Sequence, residues 1–203
     1  MKISFVQFLV LIIVGTVAPW ASGAETADSI NLGLGGLNPM PHCNATVYLI
    51  EYEHPLTPTL AILGRGSGVY YRFNNGNYLE DGRLRGMDIG ARYYRAGGMR
   101  GFYMGASLGR WKGDWTFTQN HNSPAQWEGT AKSNSVRLNI ELGDRIPVQG
   151  TKVSIMPEVN LGKFFASRSC EATAPSSQIG KPCDQKSEVN AYLFFGVAVG
   201  YAF

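Results

Sequence analysis

The sequence predicts an all-β fold, a closed antiparallel up-and-down β-barrel with about eight strands. Three observations support this fold class. Short segments along the whole chain alternate between apolar residues and small or polar residues. The connections between these segments alternate between short and long. The composition includes 25 glycines and 12% aromatic residues. Charged residues make up 16% of the chain, whereas in soluble domains they make up about a quarter of the residues.

The N-terminal segment has the pattern of a cleaved secretory signal peptide. A lysine at the second position precedes an apolar run over residues 3–18, and small residues follow. These small residues suit signal peptidase, with cleavage after Ala24 or, as an alternative, after Gly23. The run is short for a membrane-spanning helix, which needs about 20 apolar residues. We therefore expect a signal peptide, residues 1–24, and one mature domain, residues 25–203.

Five internal segments alternate clearly and are predicted strands. In each, one parity is mainly apolar and the other carries most of the polar and small residues, which is the side-chain period of a half-buried strand. They are Thr46–His54, Met87–Tyr93, Phe102–Leu108, Ser135–Leu142 and Val153–Leu161.

Two further strand candidates are less regular. Ile30–Leu37 is weak and rich in glycine. In Leu60–Phe73 the apolar residues change parity after Ile62, and the intervening glycines predict a bulge. Pro157 cannot donate a hydrogen bond to its neighbouring strand, so we expect a second local bulge there.

The C-terminal segment is the clearest strand. Every second residue from Val189 to Phe203 is apolar, and most residues between them are small or polar. In a membrane barrel such an apolar face contacts lipid, while the other face lines the lumen. The terminal Phe203 resembles the C-terminal targeting signal of bacterial outer-membrane barrels.

The connections agree with an even number of strands whose two ends lie in the periplasm. Periplasmic turns should be short, and external loops longer. The predicted turns are Pro55–Pro58, Ala96–Arg100 and Pro147–Gly150, and the predicted external loops are Asn74–Arg85, Gln119–Ala131 and Arg168–Ser187, with Asn38–Cys43 as a short exception.

Aromatic residues predict two girdles, one at each membrane interface. The periplasmic girdle would contain Tyr52, Tyr93, Phe102, Tyr201 and Phe203, and the outer girdle Tyr71, Phe73, Trp111, Trp115, Phe164 and Phe165.

One stretch resembles a known family of barrels. Leu49–Leu56 (LIEYEHPL), followed by a glycine-rich strand, resembles the first hairpin of small eight-stranded outer-membrane barrels of the OmpA-transmembrane and OmpX-like kind. By pattern the resemblance covers most of the mature chain. It implies a location in the bacterial outer membrane, with outer-membrane lipid, lipopolysaccharide and the assembly machinery as partners, more than it implies an activity.

The three cysteines all fall in predicted external connections. Cys170 and Cys183 share one loop, and in an oxidising compartment we expect them to form a disulfide. Cys43 could instead pair with either of them or stay free. The spacing of cysteines and histidines suggests no metal site, and no cofactor is expected.

Charged residues of both signs are predicted on the lumen side. They could form an ion path or a catalytic site, but in a narrow barrel they are expected to pair and fill the lumen, since unpaired burial is costly. The set is Glu51, Glu53, Asp88, Arg92, Arg137, Glu141 and Glu158.

An enzymatic function has one candidate group, His121 and Ser123 with Glu128 nearby. Serine catalysis needs a histidine base and an orienting acid. The group falls in a predicted loop, and the chain has no Gly-x-Ser-x-Gly motif. We therefore assign no catalytic residues, and the alternative of a lipid A-modifying enzyme stays open.

The leading functional hypothesis is a non-enzymatic barrel with a role in envelope structure or in binding a protein or host surface through external loops. A narrow pore for small solutes is the main alternative. The net charge of +3 does not indicate a nucleic-acid partner.

Overall fold

The computed structural model of the chain describes residues 27–37, 43–120, 126–173 and 191–203. The predicted signal peptide, residues 1–24, lies outside these ranges. The described residues form eight antiparallel strands that close into one barrel in sequence order, with β8 paired to β1. The strands are β1 (Ser29–Leu37), β2 (Cys43–Pro55), β3 (Leu60–Asn74), β4 (Tyr78–Tyr94), β5 (Gly101–Gln119), β6 (Trp127–Pro147), β7 (Val153–Thr173) and β8 (Ala191–Ala202).

The alternation in sequence sets the two faces of each strand. Met87 and Ile89 on β4 are 77% and 74% exposed on the outside, whereas Asp88 between them is 2% exposed in the lumen. The same division holds on the other predicted strands, because side chains of a strand point alternately to opposite faces. The predicted fold, a closed antiparallel barrel of eight strands, is confirmed.

We call the end of the barrel that carries the first residue of β1 and the last residue of β8 the terminal end. The three turns at this end, over residues 56–59, 95–100 and 148–152, are short as predicted. The middle turn uses positive φ angles at Gly97 (73°) and Gly98 (62°) to fold back under the barrel. This fold places Met99, which is 4% exposed, against the terminal end of the lumen.

At the opposite end, two of the predicted loops are wrong. Most of residues 74–85 is strand, and the turn between β3 and β4 covers only residues 75–77. Of residues 119–131, Gln119 and residues 127–131 are also strand, and the link covers residues 120–126. The prediction failed because it required apolar residues on the outward face, and beyond the apolar belt this face carries charged residues such as Arg83 and Lys112.

The predicted bulge in β3 is absent. Its pairing runs without interruption from Pro55↔Ala61 to Cys43↔Phe73 on one side and is continuous with β4 on the other. The apolar residues change parity because Ile62 faces outward while Val69 and Tyr71 face into the lumen. The change in parity therefore marks the level at which the residues of β3 that face the lumen become apolar.

The predicted bulge at Pro157 is absent as well. The pairing of β6 with β7 lacks two positions, where Asp144 and Arg145 lie opposite Pro157 and Met156, and then resumes in the same register at Ile146↔Ile155. No residue is inserted, so the strand loses hydrogen bonds at the proline without a shift in register.

Aromatic rings lie directly over glycines of the neighbouring strand. In each case the two residues are register partners, and the ring occupies the space that a Cβ atom would need, at 2.1–2.4 Å from its ideal position. Glycine is therefore required at these positions by close approach of the ring. The pairs are Tyr48–Gly68, Tyr71–Gly82, Trp111–Gly86, Tyr103–Gly143 and Tyr192–Gly162.

This packing predicts different costs for two glycine-to-alanine substitutions. Gly162→Ala should lower the free energy of unfolding by about 1–3 kcal/mol, because its methyl group overlaps the Tyr192 ring. Gly64→Ala is the matched control, since nothing lies within 4 Å of its Cβ position. Urea unfolding of the barrel in lipid vesicles measures both. Equal stabilities of the two variants would contradict this account.

Candidate functional site in the barrel lumen

The structure places all seven charged residues predicted for the lumen inside the barrel, and each is at most 6% exposed. They come from strands β2, β4, β6 and β7, whose inward faces meet around the barrel axis. A barrel of eight strands is just wide enough for side chains to fill its interior. Their side chains therefore contact one another across the lumen.

Arg92 is the centre of this cluster. Its Nη1 atom lies 2.5 Å from Glu51 Oε1 and 3.2 Å from Glu53 Oε2. Its Nε atom donates to Glu141 Oε1 at 2.5 Å, and its Nη2 atom lies 3.7 Å from Glu158 Oε2. One guanidinium group thus contacts four carboxylates from three strands. Arginine suits this position because its donors point in several fixed directions.

Two arginines that the sequence analysis missed complete the cluster. Arg65 Nη2 lies 2.6 Å from Glu51 and 2.5 Å from Glu141, and Arg145 Nη2 lies 2.5 Å from Glu53. Arg65 was missed because its glycine-rich surroundings were assigned to a bulge. Had the parity of β3 been continued through them, Arg65 would have been placed in the lumen. Arg145 lies just beyond the predicted end of its strand.

We call these residues the charged layer. Its four carboxylates and three guanidinium groups compensate one another, which burial at this depth requires. Tyrosine and asparagine side chains satisfy further oxygens: Tyr94 donates to Glu53 at 2.6 Å, and Asn31 donates to Glu51 at 2.8 Å. The charged layer consists of Glu51, Glu53, Arg65, Arg92, Glu141, Arg145 and Glu158.

Asp88 and Arg137 form a separate ion pair on the side of the charged layer away from the terminal end. Arg137 Nε donates to Asp88 Oδ1 at 3.0 Å, and Trp111 Nε1 donates to the same oxygen at 3.0 Å. The Arg137 guanidinium also lies 4.2 Å from the centre of the Trp111 ring, at cation–π distance. This pair joins the charged layer to the aromatic residues beyond it.

Aromatic residues fill the lumen toward the opposite end, so the predicted outer girdle is wrong for most of its members. Tyr71, Trp111, Trp115 and Phe164 are buried inside the barrel, and only Phe165, at 54% exposure, clearly faces outward. Their parity places them on the inward face. We call this group the aromatic layer, and it consists of Val47, Val69, Tyr71, Trp111, Trp115, Phe117, Ala131, Phe164, Tyr192 and Phe194.

Four of the five residues of the girdle predicted at the terminal end face outward, as such a girdle requires. Tyr52, Tyr93, Tyr201 and Phe203 face outward with 45–55% exposure. Phe102 is only partly exposed. Inside the barrel, the same end is filled by Met99, Tyr94, Tyr103 and Met156 among others.

The lumen is therefore filled at three successive levels. These are the apolar group at the terminal end, the charged layer and the aromatic layer. A cavity of about 30 Å³ between the last two is lined in part by Ser67 and Asn160, and it has room for water but not for a larger solute.

Asp28, just before β1, forms hydrogen bonds near the place where β1 and β8 pair and close the barrel. The Tyr52 hydroxyl donates to its carboxylate at 2.7 Å, and His54 Nδ1 lies 2.7 Å from the other oxygen. These hydrogen bonds, that of Tyr52 first and that of His54 second, lower the pKa of Asp28 below its usual value. The Phe203 backbone N–H donates to the Asp28 carbonyl oxygen at 3.0 Å. Both neighbours of β1 are thus held at its start.

Several predicted site residues are not described. His121, Ser123 and Cys183 lie outside the described ranges, and of Cys170 the structure describes only the backbone, in β7. The disulfide and the catalytic alternative therefore stay predictions. Among the described residues, Cys43 is a free cysteine, and no group of His, Cys, Asp and Glu could hold a metal ion. In the same part of the chain, no helix is long and apolar enough to cross a membrane.

The charged layer predicts a large effect of one substitution. Arg92→Met should lower the free energy of unfolding by about 3–5 kcal/mol, because it leaves buried carboxylates without their shared cation. Arg72→Met is the matched control. Arg72 pairs with Asp81 at 2.6 Å on the outer surface with 66% of its side chain exposed, and its loss should cost less than about 1 kcal/mol. Urea unfolding in lipid vesicles measures both, and equal losses would refute the central role of Arg92.

Comparison with known proteins places the fold. No family model and no curated protein matches the chain. Among solved structures, it is similar to a major outer membrane protein from Thermus thermophilus, with a TM-score of 0.55, 12% identity, and coverage of 87% of this chain and 100% of that chain. The translocator domain of the autotransporter NalP from Neisseria meningitidis gives a TM-score of 0.51, 7% identity, and coverage of 97% and 94%. At such identities the likeness shows the fold alone, and the chain has the closed β-barrel fold found in bacterial outer-membrane proteins.

Proposed function

We propose that this chain is an integral outer-membrane barrel with a sealed lumen, and that it acts through the surface it presents outside the cell. The observation that carries the proposal is the filled lumen, in which the described residues of the charged and aromatic layers enclose a cavity of about 30 Å³. In this proposal the barrel is non-enzymatic, and its role is structural or adhesive.

The outer surface supports a location in a membrane. Apolar side chains such as Ile89, Leu108, Leu138 and Ile140 are 45–74% exposed around the barrel. A soluble protein rarely exposes so large an apolar area, whereas a membrane barrel turns it toward lipid. Closure of the sheet also leaves none of the eight described strands as an unpaired edge, as a bilayer requires. In this reading the terminal end faces the periplasm.

The long strands support a surface role. Strands β5, β6 and β7 contain 19, 21 and 21 residues, and a tilted strand needs about 9–11 residues to cross the bilayer. About half of each strand therefore extends beyond the outer interface. The aromatic layer fills the interior of part of this extension. The extension is therefore a packed, rigid structure that can support a binding surface. A protein or host-surface ligand would bind at the connections on this outer side, such as those that follow β5 and β7.

A conductance measurement distinguishes a sealed barrel from a narrow pore, which is the main alternative from the sequence. The refolded wild-type barrel should show no steady conductance steps in a planar bilayer, because three filled levels block the axis. A refolded porin measured in the same membrane is the positive control, and far-UV circular dichroism verifies that the barrel is folded. Reproducible single-channel steps from the wild-type protein would overturn the sealed lumen.

Location is tested by expressing the full chain in a Gram-negative host and separating the membranes by density. The mature protein should appear in the outer membrane with Glu25 at its N-terminus, as expected from cleavage after Ala24. Deletion of Phe203 should reduce the amount assembled if this residue is part of the targeting signal. Recovery of the wild-type protein from the inner membrane or the cytoplasm would refute the proposed location.

A further inference from the structure

A group of basic side chains covers one side of the outer surface. The residues lie on four adjacent strands, β3 to β6, on the face turned away from the lumen, and all are exposed. Six cations share this area with two carboxylates, Asp81 and Asp114. We call it the basic cluster, and it consists of Arg72, Arg83, Arg85, Arg110, Lys112 and Lys132.

The two carboxylates do not neutralise the basic cluster. Arg72 pairs with Asp81, and Arg85 lies 3.6 Å from Asp114. Within the described ranges, Arg83, Lys112 and Lys132 form no ion pair. Arg85 and Lys112 are moreover direct register partners on adjacent strands, and like charges in this position repel each other. An anion bound between them would remove this repulsion.

The height of the basic cluster matches the lipid headgroups of the outer leaflet. Arg85 lies nine residues from Tyr94, where β4 ends, and Arg110 lies nine residues from Gly101, where β5 begins. A tilted strand crosses the bilayer in about 9–11 residues, so these side chains reach the outer interface. Together with Arg83 and Lys132, Arg85 lines an open depression with a volume of about 1330 Å³.

An apolar groove lies on the same side of the barrel, closer to the terminal end. It has a volume of about 780 Å³ and lies on the outward face of β3, β4 and β5. Small residues, Gly64, Ala91 and Ala106, form its base, and larger side chains such as Ile89 and Leu108 border it. The groove faces the lipid region of the proposed membrane and can hold acyl chains.

We propose that this side of the barrel binds a phosphorylated, multiply acylated lipid of the outer leaflet, of the lipid A type. The phosphate groups would contact the basic cluster, and the acyl chains would lie along the apolar groove. Guanidinium and ammonium groups are the usual protein ligands of phosphate. This inference rests on the proposed location in the outer membrane, and it adds a defined lipid partner to it.

A nucleic acid or an acidic protein would satisfy the charge of the basic cluster but not the groove. Both are too polar to cover the exposed apolar side chains near the cations, such as Ile89 and Leu108. A lipid with anionic headgroup and acyl chains complements both parts.

Native mass spectrometry of the detergent-purified barrel with bisphosphorylated lipid A tests the charged part. The double variant Arg83→Gln/Lys112→Gln should lose affinity by roughly tenfold or more, because two phosphate contacts are removed. The matched control is Arg95→Gln/Lys152→Gln, which removes the same charge from exposed positions in the turns of the terminal end. Its affinity should equal that of the wild type, and circular dichroism verifies that all proteins are folded.

The apolar part is tested by Ala106→Trp, which fills the groove without changing charge. We expect weaker binding of lipid A to this variant, and weaker binding of dephosphorylated lipid A than of lipid A to the wild type. Equal affinities of the two double variants, or no effect of Ala106→Trp, would overturn the inference. Membrane fractionation tests the location separately, so an outer-membrane barrel that fails these binding tests refutes the lipid site alone.

Discussion

A charged group that points into a narrow closed barrel needs a partner of opposite charge inside that barrel. Here this constraint converges on Arg92, whose guanidinium contacts Glu51, Glu53, Glu141 and Glu158. The carboxylates come from β2, β6 and β7 on different sides of the barrel, so the contacts hold opposite walls together. The arrangement explains how a sheet with few apolar residues at this level of its interior can be stable, because hydrogen bonds and charge compensation replace apolar packing there.

The interior changes character along the axis, and the outer surface changes with it. At the level of the charged layer the lumen is charged and the outside is apolar, which is the reverse of a soluble protein. Toward the opposite end the lumen is aromatic and the outside carries the basic cluster. Exposed side chains match the polarity of the solvent around them. If lipid surrounds the first part of the barrel and water the second, the same strands would therefore carry apolar residues outside in the first part and charged residues outside in the second. The change of parity in β3, after Ile62 and before Val69, marks the transition.

The functional proposals follow from this division of the barrel. With the lumen filled, the outer surface is where the proposed function lies, because the apolar groove and the basic cluster adjoin there. The extended strands above them form a platform whose packing comes from aromatic rings seated on glycines, as with Tyr71 on Gly82. Such rigidity is useful for a surface that presents a ligand site, because less conformational entropy is lost on binding.

The sequence by itself determined the barrel, its eight strands, their faces, the short turns of the terminal end and seven lumen charges, because period-two alternation is a local property that any strand must show. Only the tertiary structure decided which charges pair, that Arg65 and Arg145 join them, and that Trp111 and Phe164 pack together in one layer. Pairing depends on register between strands distant in sequence, and the polarity of an outward position depends on whether lipid or water surrounds it. In the proposed membrane location, a rule that expects apolar residues outside would therefore fail wherever a strand leaves the lipid.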